Sequence, residues 1–370
     1  MEPSSENVKA LARYCPAAFY HPNKAAPDEW IRKMGGMPGT RSKGDAIWFE
    51  SDAQTRVSIG GNRAGKTTKL VLEVGSSCIG MRPWYPPESP WFTRGLFSER
   101  QLRAEAEDGV RPPSKWKYTL PSFAHHLREV TDEFAKWWPK EWYTVCDRDD
   151  RGAAREFRWF NGSTVTFFSH YMDPSDYEGT EFDGNAYDEP PPKPIWAGSE
   201  RGLVSTGGRS IVGATLLDAS GWFWEEIVNK SEMEQSERIF VTWHSGWDNT
   251  FENGGCRSQT VKNLLAWLED KVTDPDERLA REHGHPMHVG GLVLGGLNRT
   301  RDFCEPIELP HDCIIVSGID PAGAKPMAAL HVAYMVPADG VLPWVGHIFD
   351  ETWMPESKND LAAFANTFAA

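Results

Sequence analysis

Gly60-Gly61-Asn62-Arg63-Ala64-Gly65-Lys66-Thr67 decides how this chain is read, because it is a complete G-x-x-x-x-G-K-[ST] run. The spacing has a chemical reason. Glycines let the backbone wrap so that its N–H groups converge on a phosphate, and a helix opening at Lys66 adds its positive end. Lys66 is then placed to bridge the β- and γ-phosphates of ATP, the Thr67 hydroxyl to hold Mg²⁺, and Thr68 completes the nucleotide-binding set. So short a pattern needs the right flanks, and it has them. Val57-Ser58-Ile59 reads as a strand, and Lys66 to Cys78 as a helix with Leu70, Val71, Val74 and Cys78 on one face.

Such a loop needs an acidic strand end beside it. Tyr187-Asp188-Glu189-Pro190 supplies one: Asp188 to order the metal's water shell, Glu189 to orient and deprotonate an attacking water. The strand before it, 182–187, is poor, since Asp183, Gly184 and Asn185 interrupt the apolar run. Two adjacent acids with a water base favour hydrolysis over transfer to a small acceptor, which points to a motor and away from a kinase. Arg63, inside the loop, is a candidate for stabilising transition-state charge at the γ-phosphate. The plain alternative is that it pairs with an acid on a neighbouring strand. Arg201 and Arg209 are further candidates, unranked by sequence.

The chain has 370 residues, room for two domains and part of a third. Its net charge of −14 repels nucleic acid and acidic membranes on average, leaving a DNA partner to a local basic track. Residues 94–117 come nearest to one, with Arg94, Arg100, Arg103, Arg111, Lys115 and Lys117, and read as a solvated charged face. No apolar run approaches the roughly 20 residues that span a bilayer, and nothing near Met1 reads as a signal peptide, so no membrane role is expected. Six scattered cysteines without a C-x-x-C pair argue for reduced thiols. The 17 tryptophans read as packing residues rather than a base-stacking platform.

Four segments follow. Residues 1–45 are a helical lead-in, with one helix over 7–15 and another capped by Asp28. Residues 46–240 alternate strand and helix as an α/β P-loop domain with a mostly parallel sheet. They include a hairpin over 155–168, turned by Asn161-Gly162 as a type I′ pair, and a strand over 209–214. Residues 241–310 form a helical connector: Val261, Leu264, Leu265 and Leu268 share a face, and Asp274-Pro275 and Gly284 bracket a second helix. His283, His285 and His288 invite a metal reading, but His283 reads better as a cation at a helix C-terminus. From 311 come three strands, 313–319, 327–336 and 344–349, then a helix capped by Ser357. That is too little for a finished domain.

The loop at 60–67, Asn161-Gly162-Ser163-Thr164, Gly179 and Asp188-Glu189-Pro190-Pro191 together resemble the large terminase subunit of tailed bacteriophages. Gly213-Ala214-Thr215 looks like that family's coupling motif, which normally opens with Ser or Thr, so Gly213 is a departure. The stretch 288–301 looks like its connector, and the likeness spans about 46–370. The resemblance implies an ATPase that drives double-stranded DNA into a procapsid, coupling through Thr215. The implied partners are the portal protein, the small terminase subunit and copies of itself in a ring, in the host cell cytoplasm. It also implies an RNase H-like nuclease after the ATPase. Asp320, in Ser317-Gly318-Ile319-Asp320-Pro321-Ala322-Gly323, would be its first Mg²⁺ or Mn²⁺ ligand, with Asp350 and Glu351 read as surface acids. The family's other acids lie beyond the first helix, so the chain reads as a fragment without cleavage activity. Two rivals stand beside this reading: another nucleic-acid-stimulated P-loop ATPase of helicase type, and a non-catalytic assembly fragment.

Overall fold

Thr55–Gly60 (β1) is buried along its whole length and runs directly into the glycine loop. Seven further strands join it in one sheet: Lys115–Leu120 (β2), Tyr143–Arg148 (β3), Ala154–Trp159 (β4), Thr164–Ser169 (β5), Gly184–Asp188 (β6), Arg209–Ala214 (β7) and Ile239–His244 (β8). The order is β3-β4-β5-β2-β6-β7-β1-β8. From β5 to β8 all neighbours are parallel, and β4 and β3 extend the sheet antiparallel. This is the mixed α/β class expected. The computed structural model describes residues 14–148, 152, 154–179, 181–216, 221–231, 236–255, 259–272, 274–286, 313–320, 327–335 and 345–354. They fall in two units, 1–291 and 292–370, so the division lies within the segment read as connector.

The helix Lys66–Ile79 lies on one face of the sheet, packed with the helix Arg128–Trp137 around Trp116, Tyr118, Trp138 and Trp159. A Cβ at Gly75 would fall 2.1 Å from the Trp138 ring, so that position must stay small for the indole to seat. Tryptophan therefore does serve the core here: Trp48, Trp116, Trp138, Trp159 and Trp247 are fully buried. One buried charge cluster ties β1 to its helix. Glu73 accepts from Arg56 Nη2 at 2.5 Å, from Arg82 Nε at 2.8 Å and from Arg82 Nη2 at 2.5 Å.

The polar interruptions before Asp188 do not prevent a strand, because each finds a partner. Asp183 accepts from Ser98 Oγ at 2.6 Å, from Arg100 Nη2 at 2.6 Å and from the Lys115 amide at 3.0 Å. Asn185 donates to Ser199 O and Glu200 Oε1, both at 3.2 Å. Gly184 lacks a side chain where the Trp116 ring lies, 2.5 Å from the position a Cβ would take. A strand wholly buried on both faces does not need apolar residues if its polar groups are satisfied.

Several local readings need correction. The hairpin β4–β5 forms, but Asn161 is not left-handed; only Gly162 is, at φ +84°, so the turn is not type I′. Asn161 Nδ2 instead donates to Cys78 O at 2.7 Å, closing the end of the loop helix. Asp28 opens the helix Asp28–Lys33 without capping it; its carboxylate accepts from Gly39 N and Thr40 N at 2.8 and 2.9 Å. His283 is no solvated cation at a helix end. It is buried, burial pushes its imidazole pKa down, and its ring bridges Met37 O at 2.8 Å and Ser245 Oγ at 3.0 Å.

In the second unit, Ile314–Asp320 (β9), Met327–Met335 (β10) and Val345–Met354 (β11) form an antiparallel sheet in the order β11-β10-β9. Asp320 closes β9 opposite Ala328, and Asp350 and Glu351 stand in β11 opposite His331 and Leu330. The helices read over 7–15 and 357–368 lie outside the described residues, as does the stretch 288–301.

Candidate nucleotide-binding and hydrolysis site

Parallel strands end together, so the sheet order brings Gly60, Asp188, Ala214 and His244 to one edge. That edge is where open α/β sheets take ligands. The loop after β1 turns through Arg63 at φ +59° and Gly65 at φ +79° before the helix starts at Lys66. Arg63 is one of two non-glycine residues with positive φ among those described; the other is Glu189, at φ +80°. Strained backbone at the loop and at the acid pair marks this edge as the chemical one.

Lys66 is buried under the loop, where Nζ donates to Gly60 O at 3.1 Å and Gly61 O at 2.9 Å. Burial pushes its pKa down, partly offset by the charges of Glu189 and Asp188. Thr67 Oγ1 lies 3.1 Å from both Asp188 carboxylate oxygens and donates to them. Asp188 is itself buried, and burial, with the Glu189 charge next, pushes its carboxyl up to about 7. A hydroxyl and a desolvated carboxyl converging beside a phosphate loop form the donor set that suits a hard divalent cation such as Mg²⁺.

Glu189 accepts two hydrogen bonds from one residue. Thr215 N donates to Oε2 at 2.7 Å and Thr215 Oγ1 to Oε1 at 2.8 Å, while the Glu189 amide donates to Gly213 O at 2.8 Å. A Cβ at Gly213 would sit 3.2 Å from Lys66 Cβ and 3.3 Å from Leu70 Cδ1, so this end of β7 packs tightly against the loop helix. The end of β7 thus touches both the loop lysine and the second acid.

Around Thr68 and Arg63 stand partners that carry no motif and escaped the sequence reading: Glu133, Asn249, Lys69, Asp45 and His244. Thr68 Oγ1 donates to Glu133 Oε1 at 2.6 Å, and Trp137 Nε1 donates to the same oxygen at 2.7 Å. Asn249 Nδ2 holds Arg63 O at 2.8 Å. Lys69 Nζ meets Asp45 at 2.8 Å, and His244 at the end of β8 lies 3.0 Å from the same carboxylate. Burial alone would raise the Asp45 pKa, but Lys69 and His244 outweigh it and hold the carboxyl well below the usual range. Behind the loop, Asn62 N donates to Arg281 O at 2.8 Å, and a Cβ on Gly61 would fall 2.4 Å from Arg281 O and Glu282 O. The helix Pro275–His283, read as part of a connector, therefore packs its last turn on the loop. Charged residues in all-buried surroundings, Lys69 and Glu73 on an otherwise apolar helix face, were the available signal.

Among the described residues Arg63 forms no ion pair, so the plain alternative of a strand acid does not hold; the side chain is exposed at the loop's rim. Arg201 pairs with Glu178 at 3.2 Å. Arg209 opens β7 at the opposite edge of the sheet and donates to Asp52 O at 2.7 Å, which removes it from this site. The stretch 94–117 is not an open basic face: Arg100 pairs with Asp183, Arg111 with Glu105, Arg94 with Asp52, and Lys117 is buried. Among the described residues no group of three or more His, Cys, Asp and Glu is arranged to hold a metal, and His288 lies outside them. No described helix is long and apolar enough to cross a membrane.

No protein-family model and no curated protein matches the chain. Among solved structures, it is similar to the HK97 bacteriophage large terminase, at 13% identity over 95% of this chain and 68% of that one, with a TM-score of 0.43. A large terminase from a thermophilic bacteriophage, in complex with ADP, aligns at 13% identity over 86% of this chain and 68% of that one, TM-score 0.42. The ATPase domain of a Thermus phage large terminase aligns at 15% identity over 70% of this chain and 97% of that one, TM-score 0.38. Scores this low leave the function to be argued from the site's own residues.

Proposed function

We propose that the first unit binds and hydrolyses ATP as the motor of a viral DNA-packaging machine. The observation that carries the ATPase reading is the junction of three strand ends. Lys66 closes the loop after β1, Thr67 donates to Asp188 at the end of β6, and Thr215, just past β7, donates to Glu189, the residue after Asp188. The loop's N–H groups and Lys66 bind the phosphates, and Glu189 takes the proton of the attacking water. Thr67 and Asp188 would hold Mg²⁺, which supplies charge neutralisation on the phosphate oxygens when bound. Arg63 is the loop's cation for transition-state charge. Thr215 couples the acid to the end of β7, and the last turn of the helix Pro275–His283 carries loop movement onward through Arg281 O.

Packaging rests on the sequence resemblance: Asn-Arg inside the loop together with Asp188-Glu189-Pro190-Pro191 is far narrower than the generic loop. On that reading the chain works in the host cytoplasm, in a ring on the portal of a procapsid. Double-stranded DNA is its substrate, the small terminase subunit is its partner, and Asp320 is the first metal ligand of a nuclease unit. The test is ATP turnover with portal-bearing procapsids or with linear duplex DNA alone. Stimulation by procapsids supports packaging; stimulation by DNA alone favours a helicase-like ATPase; no hydrolysis at all leaves an assembly role.

A further inference from the structure

The phosphate loop contains a strained residue that its own sequence does not stabilise. Arg63 is left-handed at φ +59° and Gly65 at φ +79°, while Ala64 between them is not. Alternation of hand along consecutive residues turns their N–H groups toward one point, the concave arrangement that holds an anion. Glycine takes the left-handed region readily; arginine does not, because its Cβ crowds the backbone. A group outside the loop must therefore hold the conformation at Arg63.

That group is Asn249, at the end of the turn Gly246–Asn249 that follows β8. Its Nδ2 donates to Arg63 O at 2.8 Å, and its Oδ1 accepts from Asn23 Nδ2 at 3.3 Å, which sets the end of the amide that faces the loop. Both asparagines are buried, and a Cβ on Gly65 would stand 3.8 Å from each Nδ2. Both are also anchored. A Cβ on Gly255 would fall 2.6 Å from Asn249 Cα, so the chain packs closely on that backbone. Asn23 exchanges two hydrogen bonds with Asp45, Asn23 N to Asp45 Oδ2 at 3.3 Å and Asp45 N to Asn23 O at 2.8 Å. Asp45 in turn accepts from Lys69 Nζ on the loop helix at 2.8 Å. The circuit Arg63–Asn249–Asn23–Asp45–Lys69 thus starts on the loop and returns to the helix that the loop opens.

We infer that Asn249 is a positioning residue for phosphate binding: its amide, oriented by Asn23, holds the left-handed backbone at Arg63 and so keeps the loop's N–H groups converged before a nucleotide arrives. The inference rests on the phosphate-loop reading of Gly60–Thr67 and adds to it the residues that preorganise the loop. A net hydrogen bond between neutral groups corresponds to about threefold to tenfold in a binding constant, which is enough to measure.

The experiment titrates the full chain with ADP and Mg²⁺ by calorimetry. Asn249→Ala is expected to weaken ADP by about threefold to tenfold, and Asn249→Asp, which keeps the shape but offers Arg63 O no donor, by at least as much. Asn23→Ala, which disturbs the amide from the far side of the loop, should weaken ADP by about twofold or more. The decisive arm repeats Asn249→Ala in an Arg63→Gly background. Glycine takes the left-handed conformation without help, so there the loss should shrink to under about twofold. An equal loss in both backgrounds overturns the positioning role, because a folding defect or a direct contact with the ligand would act whatever residue stands at 63. Unchanged ADP affinity in Asn249→Ala also overturns it. Lys66→Ala keeps the two readings apart. If it weakens ADP while Asn249→Ala does not, the positioning role alone falls. If it leaves ADP affinity unchanged, the phosphate-loop reading fails and takes the positioning role with it.

Discussion

Replacing Glu73 by Gln tests how the phosphate loop is held in place. Glu73 lies on the helix that the loop opens, and it is fully buried between Arg56 on β1 and Arg82 beyond the helix end. Burial alone would raise its carboxyl, but the two guanidinium groups hold it down at about 2, against an ordinary 4.5. At 1.36 kcal/mol per pKa unit the difference corresponds to about 3 kcal/mol. An independent figure agrees: removing one partner of a buried ion pair costs about 3–5 kcal/mol, because the remaining charge is left uncompensated. Glu73→Gln keeps the shape and strands two buried cations. With an m-value of about 3 kcal/mol/M the urea midpoint should fall by about 1 M. The sign with pH also follows. A depressed folded pKa gives stability that is present above 4.5 and is lost as pH falls toward 2. The stability gap between wild type and variant should therefore shrink steadily from pH 5 to pH 3. A midpoint within 0.2 M of wild type (roughly the scatter of the linear extrapolation), or a gap that does not change with pH, would refute the reasoning.

Thr215→Val removes the hydroxyl that donates to Glu189 and keeps the backbone donor. The lost hydrogen bond, worth about 0.5–1.5 kcal/mol, orients the acid proposed to activate water, so turnover should drop severalfold while ATP affinity stays within twofold; unchanged steady-state kcat would speak against the coupling role. Arg63→Ala should likewise lower turnover far more than ATP affinity, and a variant that loses affinity alone would remove Arg63 from the transition state.

The sequence reading succeeded where chemistry forces residue types together. The loop at the end of a strand, the acid pair at the end of another and the strand 209–214 stand where the sequence placed them; the proposed chemistry asks for those residue types at those spacings. The order of the strands was not legible, since period and propensity say nothing about which parallel strands are neighbours. Polar residues misled in both directions. Asp183, Gly184 and Asn185 looked like strand breakers, yet Asp183 is matched by Ser98 and Arg100, Asn185 by the helix Lys193–Val204, and Gly184 makes room for the Trp116 ring. His283 looked like a surface cation, but its neighbours Met37 and Ser245 lie 246 and 38 positions away and take it into the interior. The lead-in was underrated for the same reason: Tyr20 and Asn23 donate to Asp45, which faces the Lys69 ammonium on the loop helix. Long-range pairs of this kind leave no local pattern.

The central claim is that Glu189 drives ATP hydrolysis at a loop that Lys66 completes, and phosphate release by the purified chain in Mg²⁺ and ATP tests it most directly. Glu189→Gln should bind ATP with affinity close to wild type and release phosphate at least about a hundredfold more slowly, within the range of about 10²–10⁴ contributed by a positioned general base. Wild-type release from Glu189→Gln, or the same slow release from both proteins, would contradict the account.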